Sequence, residues 1–323
     1  MATYLVTGGG GFIGAHLVEE LLRRGEAVRV LDNFATGKRE SLAPHLDRIE
    51  LLEGDIRSYH IVHEAVRGVD YILHQGALPS VPRSIHDPIT TNEVNVGGTL
   101  NILDAARDAG VRRVVYASSS SVYGANQALP KREDMMPQPI SPYAVAKLTG
   151  EKYCQVFAWT YGLETVCLRY FNVFGPRQDP QSAYAAFIPK FVQGLMEGTP
   201  LTLDGDGTQS RDFTYVSNVV EANLLAASAP GVSGEVFNIA CGSSLSLNAI
   251  VGHLEQVLGC RGHISHGPPR PGDVPRSLAD ISRARQRLGY QPRVSVEEGL
   301  GRVVEWFRER ASRGPGSGRG GPG

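Results

Sequence analysis

Short β-prone apolar runs alternate with helix-length stretches along the first half of this chain. Residues 3–7 (TYLVT), 27–31 (AVRVL), 49–53 (IELLE), 69–74 (VDYILH) and 114–117 (VVYA) are bounded by glycine or polar turns, which predicts buried strands. Between them lie a helix over 15–24, closed by Gly25, and a longer one from Pro88 to Ala109 with a turn signal, Asn95-Val96-Gly97-Gly98, inside it. This alternation predicts an α/β fold, a doubly wound parallel sheet. Residues 1–175 read as that domain, with a segment near 212–240 returning to it, and 176–311 as a smaller mixed α/β domain. In the second part, 201–203 and 209–213 read as strands of a hairpin turning at Asp204-Gly205-Asp206-Gly207, and 296–309 as a last helix packed through Val303, Trp306 and Phe307. Residues 312–323, rich in Gly, Pro and Arg, read as a disordered tail. No internal repeat is found.

The strand ends carry the candidate chemistry. After the first strand comes Gly8-Gly9-Gly10-Gly11-Phe12-Ile13-Gly14. Glycines at 8, 11 and 14 let the backbone turn, approach a pyrophosphate and pack helix on strand, while the following helix start offers its N–H groups to the phosphates. Asp32, followed by Asn33, stands at the tip of the second strand. An acid there accepts from the adenosine ribose and repels a 2′-phosphate, so NAD is favoured over NADP, though Lys38 and Arg39, after Gly37, blunt the preference. Asp55 and Ile56 end the third strand, Asp55 placed for the adenine amine. Gln75, Gly76 and Ala77 end the fourth, leaving room for a cofactor across the strand ends.

The fifth strand runs into Ser118-Ser119-Ser120-Ser121, and Ser141-Pro142 then opens a helix with Tyr143 and Lys147 one turn apart on one face. A free tyrosine has a pKa of about 10 and is a poor base. A lysine ammonium about 5 Å away at an effective dielectric of about 20 favours phenolate by roughly 3 kcal/mol, about two pKa units. A phenol so placed could take a proton from a sugar hydroxyl near neutral pH, while an ordinary amphipathic helix carrying Tyr and Lys one turn apart accounts for the same spacing.

Composition narrows the partners. With 41% hydrophobic residues in 323 a sizeable core is available, and Lys+Arg 32 against Asp+Glu 33 leaves a formal charge of −1, so no global field points to nucleic acid or an anionic membrane. No apolar run is long enough to span a bilayer, and no signal peptide opens the chain. Cys154, Cys167, Cys241 and Cys260 lie far apart without a CxxC pair, which suits reduced thiols and a cytoplasmic location. No metal is expected. Asp204 and Asp206 lack the bidentate Glu of a calcium loop, and His60 and His63 lack an evident third ligand.

TGGGGFIG, the acid at the second strand's end, the serine cluster before VYG, SPYAVAK and LRYFNVFG (168–175) together resemble the extended short-chain dehydrogenase/reductase superfamily, in particular its NAD-dependent nucleotide-sugar 4-epimerases, over nearly the whole chain to about Phe307. The resemblance implies a Rossmann-like fold and NAD as cofactor. It implies that Ser119 holds the sugar's 4-hydroxyl, that Tyr143 is the base, and that Lys147 orients the nicotinamide ribose and tunes Tyr143. Tyr170 and Asn95 would line the cofactor. Asn172, Arg211 and Arg270 would hold the diphosphate, and Asp273 a ribose or uridine group. Ser120, Gln178 and the helix start at Ala186-Phe187 complete the substrate side. The implied reaction oxidises carbon 4 to a ketone, lets the keto sugar turn about its diphosphate, and reduces its other face. A homodimer is expected, through the helix after Pro88 and the one bearing Tyr143.

Where epimerases restricted to plain hexoses are expected to carry a bulky residue, four places after the aspartate of Arg270-Pro271-Gly272-Asp273, this chain has Ser277. A small side chain leaves space for an N-acetyl group, and Ser80-Val81-Pro82-Arg83-Ser84 and Gln178-Asp179-Pro180 also resemble the branch acting on UDP-N-acetylglucosamine or its uronic acid. UDP-GlcNAc and UDP-GalNAc are the expected substrates, with UDP-glucose and UDP-galactose weaker. The alternatives are a UDP-glucuronate 4-epimerase, with Arg83 or Lys190 facing the carboxylate, and a dehydratase or decarboxylase, for which Ser120 and Ser121 stand where acids are usual. A non-catalytic NAD-sensing regulator would be free to lose the Tyr-Lys pair that this chain keeps.

Overall fold

The computed structural model describes residues 1–181, 186–268 and 275–312. In chain order the elements are β1 (Thr3–Thr7), α1 (Phe12–Arg23), β2 (Ala27–Asp32), β3 (Glu50–Glu53), α2 (Tyr59–Ala65), β4 (Tyr71–His74), α3 (Val81–His86), α4 (Pro88–Asn92), α5 (Gly98–Asp108), β5 (Arg113–Ser119), α6 (Pro142–Tyr161), β6 (Glu164–Tyr170) and β7 (Val173–Phe174). There follow α7 (Phe187–Glu197), β8 (Leu201–Asp204), β9 (Ser210–Arg211), β10 (Thr214–Tyr215), α8 (Val216–Ser228), β11 (Glu235–Ile239), β12 (Leu245–Ser246), α9 (Leu247–Leu258), β13 (Ile264–Gly267), α10 (Ser282–Leu288) and α11 (Val296–Ser312).

Seven strands form the central sheet in the order β11-β6-β5-β4-β1-β2-β3, every neighbouring pair parallel. Both faces are covered, which is why the inner strands β1, β4 and β5 read as largely apolar runs. Along β5, Val114 and Tyr116 enter the core shared with α2, α5 and α6, while Val115 and Ala117 enter the other, shared with α1, α8, α9 and α11. Each such large side chain contributes roughly 1.5–3 kcal/mol on burial. The strand order reverses between β1 and β4, and a ligand of such a sheet lies at the carboxyl ends beside that reversal.

Four readings change. The helix drawn from Pro88 is interrupted: α4 ends at Asn92 and a π turn over Glu93–Gly97 precedes α5, so the signal at 95–98 marks a change of helical pitch. A further short helix, α3, begins after Ser80, whose hydroxyl caps the Arg83 N–H and whose φ is 94°. The hairpin over 201–213 does not form. Instead β8 pairs in parallel with β13 and β9 antiparallel with β12. Leu201 and Leu203 are buried with Thr202 exposed between them, so β8 follows the helices above it, and Asp206 turns the chain by accepting from the N–H and hydroxyl of Thr208. The last helix also runs three residues further, to Ser312. The tail from Arg313 lies outside the described residues. Among the described residues no helix is long and apolar enough to cross a membrane.

Candidate active site

The glycine loop is shaped by close backbone contacts. Gly8 has φ 69°, and a Cβ there would lie 2.9 Å from Gly76 Cα; one on Gly14 would lie 2.1 Å from the Gly8 oxygen. Gly11 ends the loop as the N-cap of α1, with no side chain capping that helix. Its first N–H groups, from Phe12 to Gly14, therefore remain for an anion. Ile13 packs against the core, and Phe12 stands edge-on to His16. At the tip of β2 the Asp32 carboxylate accepts from the N–H groups of Gly10 (2.8 Å) and Phe34 (2.7 Å). Asn33 donates to Asp55, whose carboxyl the Arg57 guanidinium holds down to about 2. Gly37 lies against Gly10, and Ile56 is buried beneath Gly98. The two cations thought to blunt NAD preference are engaged elsewhere: Lys38 with Asp179 at 2.8 Å, and Arg39 with Glu53 and over the Phe34 ring.

At the end of β4, a directional relay sets the loop Gln75-Gly76-Ala77. Thr99 Oγ1 donates to the Asn95 carbonyl and so accepts from His74 Nε2–H. In the neutral ring Nδ1 is then the acceptor, and Thr7 Oγ1, which accepts from the Gly76 N–H, donates its proton there (2.7 Å). Burial pushes His74 down to about 3, with Lys147 acting in the same direction. Asn95 grips the N–H and carbonyl of Leu78 with its amide, so it shapes the loop. Tyr170 closes a polar cluster with the side chains of Gln75 and Asn223.

Ser141 caps α6 by accepting from the Ala144 N–H at 3.2 Å, with Pro142 in the first helical position. Tyr143 is thereby presented to the end of β5, where the Ser119 hydroxyl hydrogen-bonds its phenol. Ser119 also accepts from the Ser121 N–H, and Ser120 starts the turn that follows. Lys147 is buried, its Nζ 2.8 Å from the Ala117 carbonyl and 5.9 Å from the Tyr143 ring centre. The expected downward tuning of the phenol is not what the surroundings produce. Burial pushes Tyr143 up to about 12, opposed by Ser119, and pushes Lys147 down to about 8. For Tyr143 loss of hydration outweighs the Ser119 hydrogen bond, as it does for groups drawn into a low dielectric.

On the substrate side Asn172 has φ 31°, a strained value for a non-glycine residue, and donates to the Asp212 carbonyl. Arg211 donates to the carbonyls of Ser210 and Pro275. Ser277, half-buried, is fastened to the same strand through its N–H and the Ser210 carbonyl, 2.9 Å apart. Gln178 donates to the Val173 carbonyl, while its buried Oε1 and the buried Ser121 Oγ meet no hydrogen-bond partner. Ala186 caps α7, and Phe187 packs on Phe191. Arg270 and Asp273 lie outside the described residues.

Several supporting groups escaped the sequence reading. Asp212, buried, gathers the N–H groups of Cys241, Gly242 and Ala279. Asn223 completes the Tyr170 cluster, and Glu151 binds Arg169 beneath the serines. Glu151 alone carried a signal: it repeats the four-residue step of Tyr143 and Lys147. Asp104 and Asp108 do approach His63, the one such group among the described residues, but both acids pair with Arg107.

Residues 4–240 match the NAD dependent epimerase/dehydratase family, and the chain belongs to it. It is 39% identical over 316 residues to the UDP-glucose 4-epimerase of Mycolicibacterium smegmatis, covering 95% of this chain and 99% of that one. It is 33% identical over 320 residues to the UDP-glucuronate 4-epimerase of Thermodesulfobacterium geofontis, covering 96% and 97%. The UDP-N-acetylglucosamine 4-epimerase of Methanobrevibacter ruminantium M1, solved in complex with UDP-N-acetylmuramic acid, superposes with a TM-score of 0.91 at 38% identity, covering 96% and 99%. NAD is the cofactor, and the residues present fit it: an uncapped helix start for the pyrophosphate and a strand-end carboxylate for the ribose.

Proposed function

We propose that this UDP-sugar 4-epimerase interconverts UDP-GlcNAc and UDP-GalNAc, with UDP-glucose and UDP-galactose as slower substrates. The carrying observation is Ser277, a small half-buried residue whose backbone N–H is bonded to the Ser210 carbonyl beside Arg211. An acetamido group needs that space, whereas the arginine suits a diphosphate. A cytoplasmic homodimer belongs to the same reading. Its support is the exposed apolar side chains Ile85 and Ile89 on α3 and α4 and Val145 and Val156 on α6.

NAD⁺, when bound, supplies the acceptor for the hydrogen on carbon 4 and a cationic ring. Tyr143 takes the 4-hydroxyl proton, Ser119 holds that oxygen, and the same phenol returns the proton to the inverted alcohol. To do so near neutral pH the phenol must come down from about 12, and Lys147 on the next turn is the cation the protein itself provides. Asn172, Arg211 and the α7 start at Ala186-Phe187 hold the nucleotide diphosphate, leaving the sugar free to turn as a 4-keto intermediate.

Purified protein, given UDP-GlcNAc, UDP-glucose and UDP-glucuronate separately without added NAD, should form UDP-GalNAc fastest. Ser277→Tyr should abolish that reaction and spare hexose epimerisation. Turnover of the glucuronate alone assigns the enzyme to its uronate relatives, and equal loss of both activities in Ser277→Tyr removes the role given to Ser277.

A further inference from the structure

Glu151 and Arg169 form a buried ion pair, their side chains 1% and 4% exposed and joined by two N–H···O bonds of 2.8 and 2.7 Å. Glu151 stands on α6 one turn beyond Lys147 and two beyond Tyr143. The carboxylate oxygen that meets Arg169 Nε also accepts the Ser118 hydroxyl. Three consecutive residues of β5 are thus held by three residues of one helix face. Ala117 is held through its carbonyl by Lys147, Ser118 by Glu151, and Ser119 by Tyr143. Arg169 lies beside Ser118 in the parallel register, and its guanidinium rests 4.7 Å from the ring centre of Tyr123, which closes the turn after Ser119.

Stability does not explain such a pair. Two desolvated charges gain back little beyond what a packed apolar pair would supply. An apolar pair, however, has no acceptor for the Ser118 hydroxyl and no directional bond to stop α6 sliding along β5.

We propose that Glu151 and Arg169 are positioning residues for the reaction: their ion pair fixes α6 lengthwise against β5, so that Ser119 and Tyr143 converge on one substrate hydroxyl. This rests on the reading of Tyr143 as the base and Ser119 as its partner. Neither Glu151 nor Arg169 touches the reacting atoms. Both act through Ser118 and the helix.

The test is the double variant Glu151→Leu/Arg169→Met, which removes both charges and strands neither. Melting temperature, bound NAD, kcat and KM are measured on the purified holoenzyme. Melting and NAD content should match the wild type and KM should stay within about threefold, while kcat falls about 10²-fold, the scale of a 1 Å misplacement. Ser118→Ala, which leaves the pair intact, should lower kcat about fivefold at unchanged KM. A folded, NAD-bearing double variant with kcat within twofold of wild type overturns the proposal. Should the double variant not fold, Ser118→Ala decides, and wild-type kcat there overturns it. A wild type inactive on every UDP-sugar tried overturns the epimerase reading and this proposal with it, whereas an active wild type with unaltered variants overturns this proposal alone.

Discussion

The cofactor end and the sugar end of this site are held in different ways. At the cofactor end, backbone meets backbone: Gly8 abuts Gly76, Gly14 abuts Gly8, Gly37 abuts Gly10, and buried side chains such as His74 and Asn95 lock the loops between them. At the sugar end the ties run through side chains: Arg211 sits on a two-residue strand with Ser277 bonded beside it, and the Asp212 carboxylate gathers the N–H groups of Cys241, Gly242 and Ala279. A cradle without slack retains a dinucleotide through many turnovers. A wall hung on side-chain hydrogen bonds can give, which the proposed turning of the sugar requires. The contrast is what an enzyme needs when it keeps its cofactor and must release its hold on half of its substrate.

The strongest break of that contrast falls where the two ends meet. Tyr143→Phe should lower kcat about 10³-fold, within the range of a lost general base, while bound NAD and melting temperature stay at wild-type values. Product chromatography with cofactor quantification checks both. Next in size, Gly14→Ala places a methyl 2.1 Å from the Gly8 oxygen, a clash that neither backbone can relieve cheaply. It should destabilise by about 3 kcal/mol and release most of the NAD. Gly267→Ala, at the end of β13, meets among the described residues the Thr202 methyl at 3.1 Å and the Leu203 oxygen at an ordinary 3.8 Å, and should change neither. Equal tolerance of the two substitutions, read by thermal melting and NAD content, would remove the contrast.

A pH experiment probes the lock behind the cradle. His74 is held down to about 3 by burial, against an ordinary value of 6.5. Between those values only the unfolded chain binds the proton, so stability falls as pH drops from about 6.5. By pH 5 the loss should reach about 2 kcal/mol relative to pH 7. Denaturant titrations of wild type and His74→Gln at pH 5 and 7 should show this fall in the first and not in the second, beyond what the remaining groups contribute to both.

The same contrast governed what could be read in the chain. Glycines at 8, 11 and 14 and the Ser141-Pro142 cap are local constraints on the backbone, and local constraints are written in consecutive residues. The pairing of β8 with β13 joins segments some sixty residues apart, so the turn signal at 204–207 suggested a hairpin that parallel pairing overrode. Arg169, within an apolar strand, gave no sign that its partner lay on the helix of Tyr143 and Lys147. The Tyr143–Lys147 spacing was legible, but its electrostatics was not. Attraction follows from sequence distance, whereas loss of hydration depends on everything packed around the pair.

The smallest effect concerns a tie that crosses from one end to the other. Lys38 follows the cofactor loop, its N–H bonded to the Gly10 carbonyl, and its ammonium pairs with Asp179 in the substrate-side loop at 2.8 Å. Both side chains are a third or more exposed, so solvent screening holds the pair to between 0 and about 1 kcal/mol, less in salt. Asp179→Asn should therefore leave melting almost unmoved. It should, however, leave Lys38 without its anion, and Lys38 is bonded to Gly10, the residue whose N–H meets Asp32. NADP affinity should then rise, but by less than about tenfold, because Asp32 remains to repel a 2′-phosphate and one exposed cation adds at most about 1 kcal/mol. Titration of the two dinucleotides into wild type and Asp179→Asn at low and high salt decides it. A gain that disappears in salt locates the effect at Lys38. A gain that survives salt means that Asp179 shaped the loop around Asp32, and that the substrate-side loop reaches into the cofactor end by more than one exposed charge.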